Sequence, residues 1–157
     1  MNSRLGFPMN VDIVCRVARR KISLRRVKRS ARKILGLIDE RDAELSLAFV
    51  ANGEIAKLNR KYRNQPKPTD VLSFPADNIF SGRERLLGDV VISVDRAKEQ
   101  AKAGGWTLNE EIDRLLIHGI LHLLGYDHEG SKKEARVMRA LERKISLALC
   151  GKKSPTL

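Results

Sequence analysis

All three histidines of this 157-residue chain fall within eleven residues, from His118 to His128. Their spacing is H-x3-H-x5-H. His118 and His122 are four apart, so on a helix they share one face, one turn apart. His128 follows Gly125, a residue suited to ending that helix and turning the chain back over it. Three imidazoles so arranged can bind one metal ion. Without an ion, each buried ring nitrogen needs its own partner or costs on the order of 1–3 kcal/mol. The ligand type favours zinc, with nickel, cobalt or copper as other occupants. Three protein ligands leave a fourth position for water, the mark of a catalytic zinc, which lowers the pKa of bound water to about 7.

The pattern H-x3-H-x2-G-x2-H is also that of the metzincin metallopeptidases, whose general base is a Glu directly after the first histidine. Here that position is Gly119. The ligand pattern is kept and the peptidase base is missing.

Charge points to the substrate. The chain carries a formal net charge of +12. Arg16, Arg19, Arg20, Lys21, Arg25, Arg26, Lys28, Arg29, Arg32 and Lys33 form a run without an acid. Such a stripe is the electrostatic footprint of a polyanion partner such as nucleic acid. It lacks the Trp or Phe face of a membrane-surface helix. No apolar run approaches the roughly 20 residues of a membrane span, and the N-terminus does not read as a secretory signal. With two cysteines at opposite ends, Cys15 and Cys150, reduced thiols and a cytoplasmic location are expected.

The histidines need a frame. From Leu115 to Leu124 every residue except His118 and His122 is apolar or glycine, which predicts a central helix packed on several sides. Thr107 with Glu110 is a capping box that opens it, and Ser131 with Glu134 opens a last helix whose apolar face is Val137, Met138, Leu141, Ile145, Ala148 and Leu149. Strands are expected over 11–14, 44–50, 69–74 and 87–94. The third, bounded by prolines, belongs at an edge. A basic helix is expected over 23–38, a short helix ending near Arg63, another over 95–103, and a polar loop over 78–85. These elements predict one α+β domain over 1–157, with a mixed, roughly four-stranded sheet and a tail from about residue 151. The helix bearing His118 and His122 is zincin-like.

Three blocks carry a family resemblance. His118-Gly119-Ile120-Leu121-His122-Leu123-Leu124-Gly125-Tyr126-Asp127-His128 resembles the signature of the YbeY family of bacterial endoribonucleases. Asn59-Arg60-Lys61-Tyr62-Arg63 followed by Pro68-Thr69-Asp70-Val71-Leu72-Ser73-Phe74-Pro75 resembles a second block of that family. Leu87-Gly88-Asp89-Val90-Val91-Ile92-Ser93 resembles a third. The resemblance implies a metal-dependent, single-strand-specific endoribonuclease of 16S rRNA 3′ end maturation and ribosome quality control. It implies zinc on His118, His122 and His128, a role for Arg63 in catalysis or RNA handling, and RNA, the ribosome and its assembly proteins as partners.

The residues themselves give these positions sense. Arg63, between a helix and a Pro-rich loop, suits a bidentate grip on phosphate or a surface ion pair. Asp70 suits a turn cap or a carboxylate that orients a ligand. Asp89 needs a partner if buried, Asp127 is placed to hold the ligand loop, and Ser73 has no nearby base. Trp106 and Phe74 read as core residues. Two rival readings stay open on the residues alone: a metal hydrolase of another, peptidase-like class, and a non-catalytic ribosome-assembly factor with a structural metal.

Overall fold

In a computed structural model, residues 10–18, 22–76 and 85–150 are described. The elements run β1 (Asn10–Cys15), α1 (Leu24–Leu37), β2 (Ala43–Val50), α2 (Asn52–Arg63), β3 (Val71–Pro75), β4 (Arg85–Ser93), α3 (Val94–Gly104), α4 (Leu108–Leu123) and α5 (Lys132–Cys150). The strands form one mixed sheet in the order β1-β2-β4-β3. β1, β2 and β4 are parallel and β3 is antiparallel to β4. The α+β expectation holds, and so does the edge position of the proline-bounded strand. That strand starts at Val71 rather than at residue 69, with the Asp70 carboxylate accepting the Val71 N–H at 2.8 Å at its start. Arg19, Arg20 and Lys21 of the basic run, most of the polar loop over 78–85 and the tail from 151 lie outside the described residues.

Strand periodicity divides the core. Leu45, Leu47 and Phe49 of β2 and Val90 and Ile92 of β4 join the main cluster with α1, α4 and α5. Val50, Val91 and Leu72 point the other way and meet Ile55 and Leu58 of α2. The sheet is therefore covered on both faces, with α2 closing the smaller cluster among the described residues. Ser23 caps α1, its hydroxyl accepting from the Arg26 N–H at 3.3 Å. Val27, Ala31, Ile34 and Leu35 then face the core, which leaves Arg25, Arg29, Arg32 and Lys33 exposed.

Helix α4 is the centre of the packing. It touches α1, α3, α5, β3 and β4, and Ile112, Leu115, Leu116, Ile117, Ile120 and Leu121 are almost wholly buried. Two acids are buried with them, Glu111 and Asp113, and each is paired. Arg26 of α1 meets Asp113 with both terminal nitrogens, at 3.2 and 2.5 Å. Arg114 pairs with Glu111, which also accepts from the Trp106 indole at 2.6 Å. On α5, Val137 and Ala148 depart from the expected apolar face: both are exposed, Val137 at 45%, while Met138 and Ile145 are buried. Cys15 is a free thiol; the side chain of Cys150 lies outside the described residues.

Candidate metal centre

The site is built at the C-terminal end of α4. Both halves of the Thr107–Glu110 capping box form, fixing the start of the helix. Its middle lies directly on the sheet. A Cβ on Gly119 would stand 2.7 Å from Val90 Cγ1 and 3.3 Å from both Ser73 Oγ and Val71 Cγ2. Only glycine lets the helix come this close to β3 and β4. Ser73 uses its hydroxyl to donate to the Gly119 carbonyl at 2.9 Å, so it is a helix anchor.

The helix end sets the third histidine. Gly125 takes φ +94°. Its N–H reaches the His122 carbonyl at 3.0 Å, and the Tyr126 N–H reaches the Leu121 carbonyl at 3.1 Å. This pair of bonds is a Schellman motif, which turns the chain back over the helix. Asp127 then accepts the Glu129 N–H at 2.9 Å, holding the loop around His128. Ser131 and Glu134 exchange bonds to start α5.

The three imidazoles meet. His118 Nε2 and His122 Nε2 are 3.0 Å apart, and His128 Nε2 is 3.3 Å from His118 Nδ1. A fourth side chain joins them. Glu142 of α5 accepts from His118 Nδ1 at 2.8 Å and lies 3.2 Å from His128 Nε2. Ligand atoms of His118, His128 and Glu142 all lie within 4.8 Å of one another. Sequence reasoning missed Glu142. Its signal is a carboxylate on the buried stripe of α5, four residues after Met138 and three before Ile145.

These contacts fit a cation. With Nδ1 of His118 bound to Glu142, its Nε2 keeps a lone pair, and that lone pair faces another imidazole nitrogen at 3.0 Å. Two such atoms need a proton or a cation between them. Nitrogens at zinc distances of 2.0–2.1 Å stand about 3.3 Å apart in a tetrahedron, close to the 3.0 Å between the Nε2 atoms of His118 and His122, while His128 Nε2 stands against the other ring nitrogen of His118. Burial holds the His122 pKa below the ordinary value, with the charges of His118, His128 and Arg63 adding to the effect against Asp127. A neutral imidazole is what a metal requires. Burial alone raises the Glu142 pKa, but the hydrogen bond and charge of His118, with His128, outweigh it and leave the pKa lowered.

Arg63 lines the same cavity as the three histidines, with Asp70, Ser73 and Tyr126 among its neighbours. Asn64 ends α2 in the left-handed conformation at φ 56°, and buried Asn59 donates to the Lys67 carbonyl at 2.9 Å. Helix end and Pro-rich loop are thus tied together beneath Arg63. Asp70 reaches the cavity as well, held by Val71 N–H and by Gln100 at 3.3 Å. Gln100 in turn accepts from Arg114 at 3.0 Å, so the buried Glu111–Arg114 pair braces this wall. Asp89 is exposed and needs no partner. Trp106 and Phe74 are half-buried rather than fully in the core.

A family model described as Endoribonuclease YbeY matches residues 12–149. An Endoribonuclease YbeY of a Sulfurihydrogenibium species is 46% identical over 126 residues, covering 80% of this chain and 83% of that one. That of Aquifex aeolicus is 43% identical over 141 residues, covering 87% and 93%. The chain is also similar to a Thermotoga maritima protein solved in solution, with a TM-score of 0.64, 28% identity, and 90% and 89% of the two chains covered.

Proposed function

This chain belongs to the YbeY family of endoribonucleases, and from that membership we propose that it cuts single-stranded RNA at a zinc site made by His118, His122 and His128, with Arg63 on the phosphate. It is an RNA-cleaving enzyme. The observation that carries the site assignment is one cavity lined by Arg63 and all three histidines. When bound, zinc supplies Lewis acidity toward a phosphoryl oxygen and a lowered pKa for water.

The chain's own groups do the rest. Arg63 presents a planar cation at the cavity, suited to two parallel hydrogen bonds to a phosphate and to charge developing on it. Glu142 accepts a hydrogen bond from the His118 Nδ1–H, which fixes the tautomer and leaves the Nε2 lone pair free to hold the ion. Gly119 leaves no room for a base beside His118, which counts against the peptidase reading. The exposed cations of α1, namely Arg25, Arg29, Arg32 and Lys33, support a path for the RNA backbone. One sheet with a continuous main core supports a single endoribonuclease domain over 1–157. Work on 16S rRNA 3′ ends, on ribosome quality control and with ribosomal or assembly-factor proteins, in the cytoplasm, completes the proposal. Among the described residues no helix is long and apolar enough to cross a membrane.

The test compares one sequence as single-stranded RNA, duplex RNA and single-stranded DNA. Rapid cleavage of the first alone is expected if the ribose 2′-OH attacks. DNA cut as fast as RNA would remove the 2′-OH from the mechanism, and duplex cut as fast would remove single-strand specificity.

A further inference from the structure

Both tyrosines of the chain are exposed. Tyr126 lines the cavity, and Tyr62 directly precedes Arg63. Tyr62 is 57% exposed, the most exposed of the large apolar side chains among the described residues. It is nonetheless held. Its ring meets Phe74 edge-on, with centroids 5.0 Å apart and planes at 61°. Phe74 lies next to Ser73 on edge strand β3, on the sheet face that α2 covers, while Ser73 faces α4 and the cavity. The Lys61 ammonium stands 5.1 Å from the Tyr62 centroid. An aromatic ring left in water, braced from one side and flanked by cations, has little use in the core.

We propose that Tyr62 is a nucleobase-stacking platform: a base of the RNA lies on its exposed ring while Arg63 holds a phosphate of the same strand. The inference rests on the RNA-cleaving reading above and names the group that selects single strands. Tyr62 and Arg63 are successive residues in the last turn of α2, about 100° apart around the helix, so a strand held at Arg63 and rounding the edge strand β3 comes within one nucleotide of the Tyr62 ring. A base and its phosphate are likewise neighbours on a nucleotide. Stacking on a ring is tolerant of sequence because every base offers a flat aromatic surface. A base inside a duplex already has both surfaces covered, so the platform engages unpaired strands only. Phe74 limits the freedom the Tyr62 ring must lose on binding, and Lys61 adds charge for the backbone.

The experiment uses the full chain with its metal and a short single-stranded RNA cut at one bond. Steady-state cleavage is measured for wild type, Tyr62→Phe and Tyr62→Leu, where Leu still covers Phe74. Each is assayed on the intact RNA and on a series with one abasic site moved along the strand. Tyr62→Leu is expected to raise KM roughly five- to 150-fold, the range of a lost base–aromatic stack, with a smaller change in kcat. Tyr62→Phe should stay near wild type. At one position near the cut, base loss should weaken wild type by a similar factor and Tyr62→Leu hardly at all. That failure of the two losses to multiply is what a merely structural tyrosine does not produce. Should Tyr62→Leu not fold, the abasic series on wild type decides, since a platform demands one position of large loss. Equal kinetics for all three proteins, or an abasic series with no such position, overturns the platform and leaves the nuclease reading intact. A wild type that cuts no RNA overturns both.

Discussion

A Cβ on Gly119 would stand 2.7 Å from Val90 Cγ1, so the residue that removes the peptidase base also seats the helix on the sheet. Gly119→Ala gains roughly 1 kcal/mol in helix propensity and loses about 1–3 kcal/mol to overpacking. A net loss of stability in urea denaturation is expected, and a gain would mean that the helix can shift off the sheet. Glu142 makes the opposite kind of claim. If it orients His118 from outside the coordination sphere, Glu142→Gln weakens metal binding by about 10- to 100-fold, whereas His122→Ala removes it. Competition with a coloured chelator measures both. A protein that keeps its metal without His122 and loses it without Glu142 would instead have the ligand set His118, His128 and Glu142. The histidines were legible in the sequence because His118 and His122 share a helix face by spacing alone and the helix-ending Gly125 turns His128 back toward them. Glu142 was not, since its place depends on how α5 is rotated against α4, which packing decides.

At the scale of elements, α1 shows how a charge run divides its labour. Its one-signed composition and its helical period were readable, and so was the Ser23 start. What was not readable is that Arg26 leaves the stripe to pair with Asp113, 87 positions away in sequence and 2% exposed. No local pattern announces a partner at that separation. The division predicts two unlike phenotypes. Arg26→Ala should cost about 1–3 kcal/mol of stability, as for a lost hydrogen bond to a buried charge, read as a lower urea midpoint. Arg29→Ala and Arg32→Ala should leave the midpoint in place and each lower the slope of log affinity against log salt by about one. The wild-type slope kept by both Arg29→Ala and Arg32→Ala would mean that the RNA does not pass along α1. Val137 is the smaller lesson of this kind. An apolar residue in the right period still faces water when Met138 and Ile145 already fill the contact.

Across the whole molecule, the sheet and its central helix exist to hold one cavity. β3 and β4 carry α4, α2 delivers Arg63 from the end beside β3, and α5 returns over α4 to bring Glu142. The class, the strand count and the edge strand followed from alternation, caps and prolines, because each is a local rule. The order β1-β2-β4-β3 did not, because strand neighbours are chosen by long-range packing. The account stands on metal and arginine acting in this cavity as separate parts of one nuclease. The most direct check is metal content and single-turnover cleavage of single-stranded RNA, measured side by side on wild type, His118→Ala and Arg63→Ala. Wild type should carry one zinc per chain and cut. His118→Ala should lose both metal and cutting, while Arg63→Ala keeps the metal and cuts about 100- to 1000-fold more slowly, as when a charge-stabilising donor is removed. A metal-free His118→Ala that cuts RNA at the wild-type rate would contradict the account.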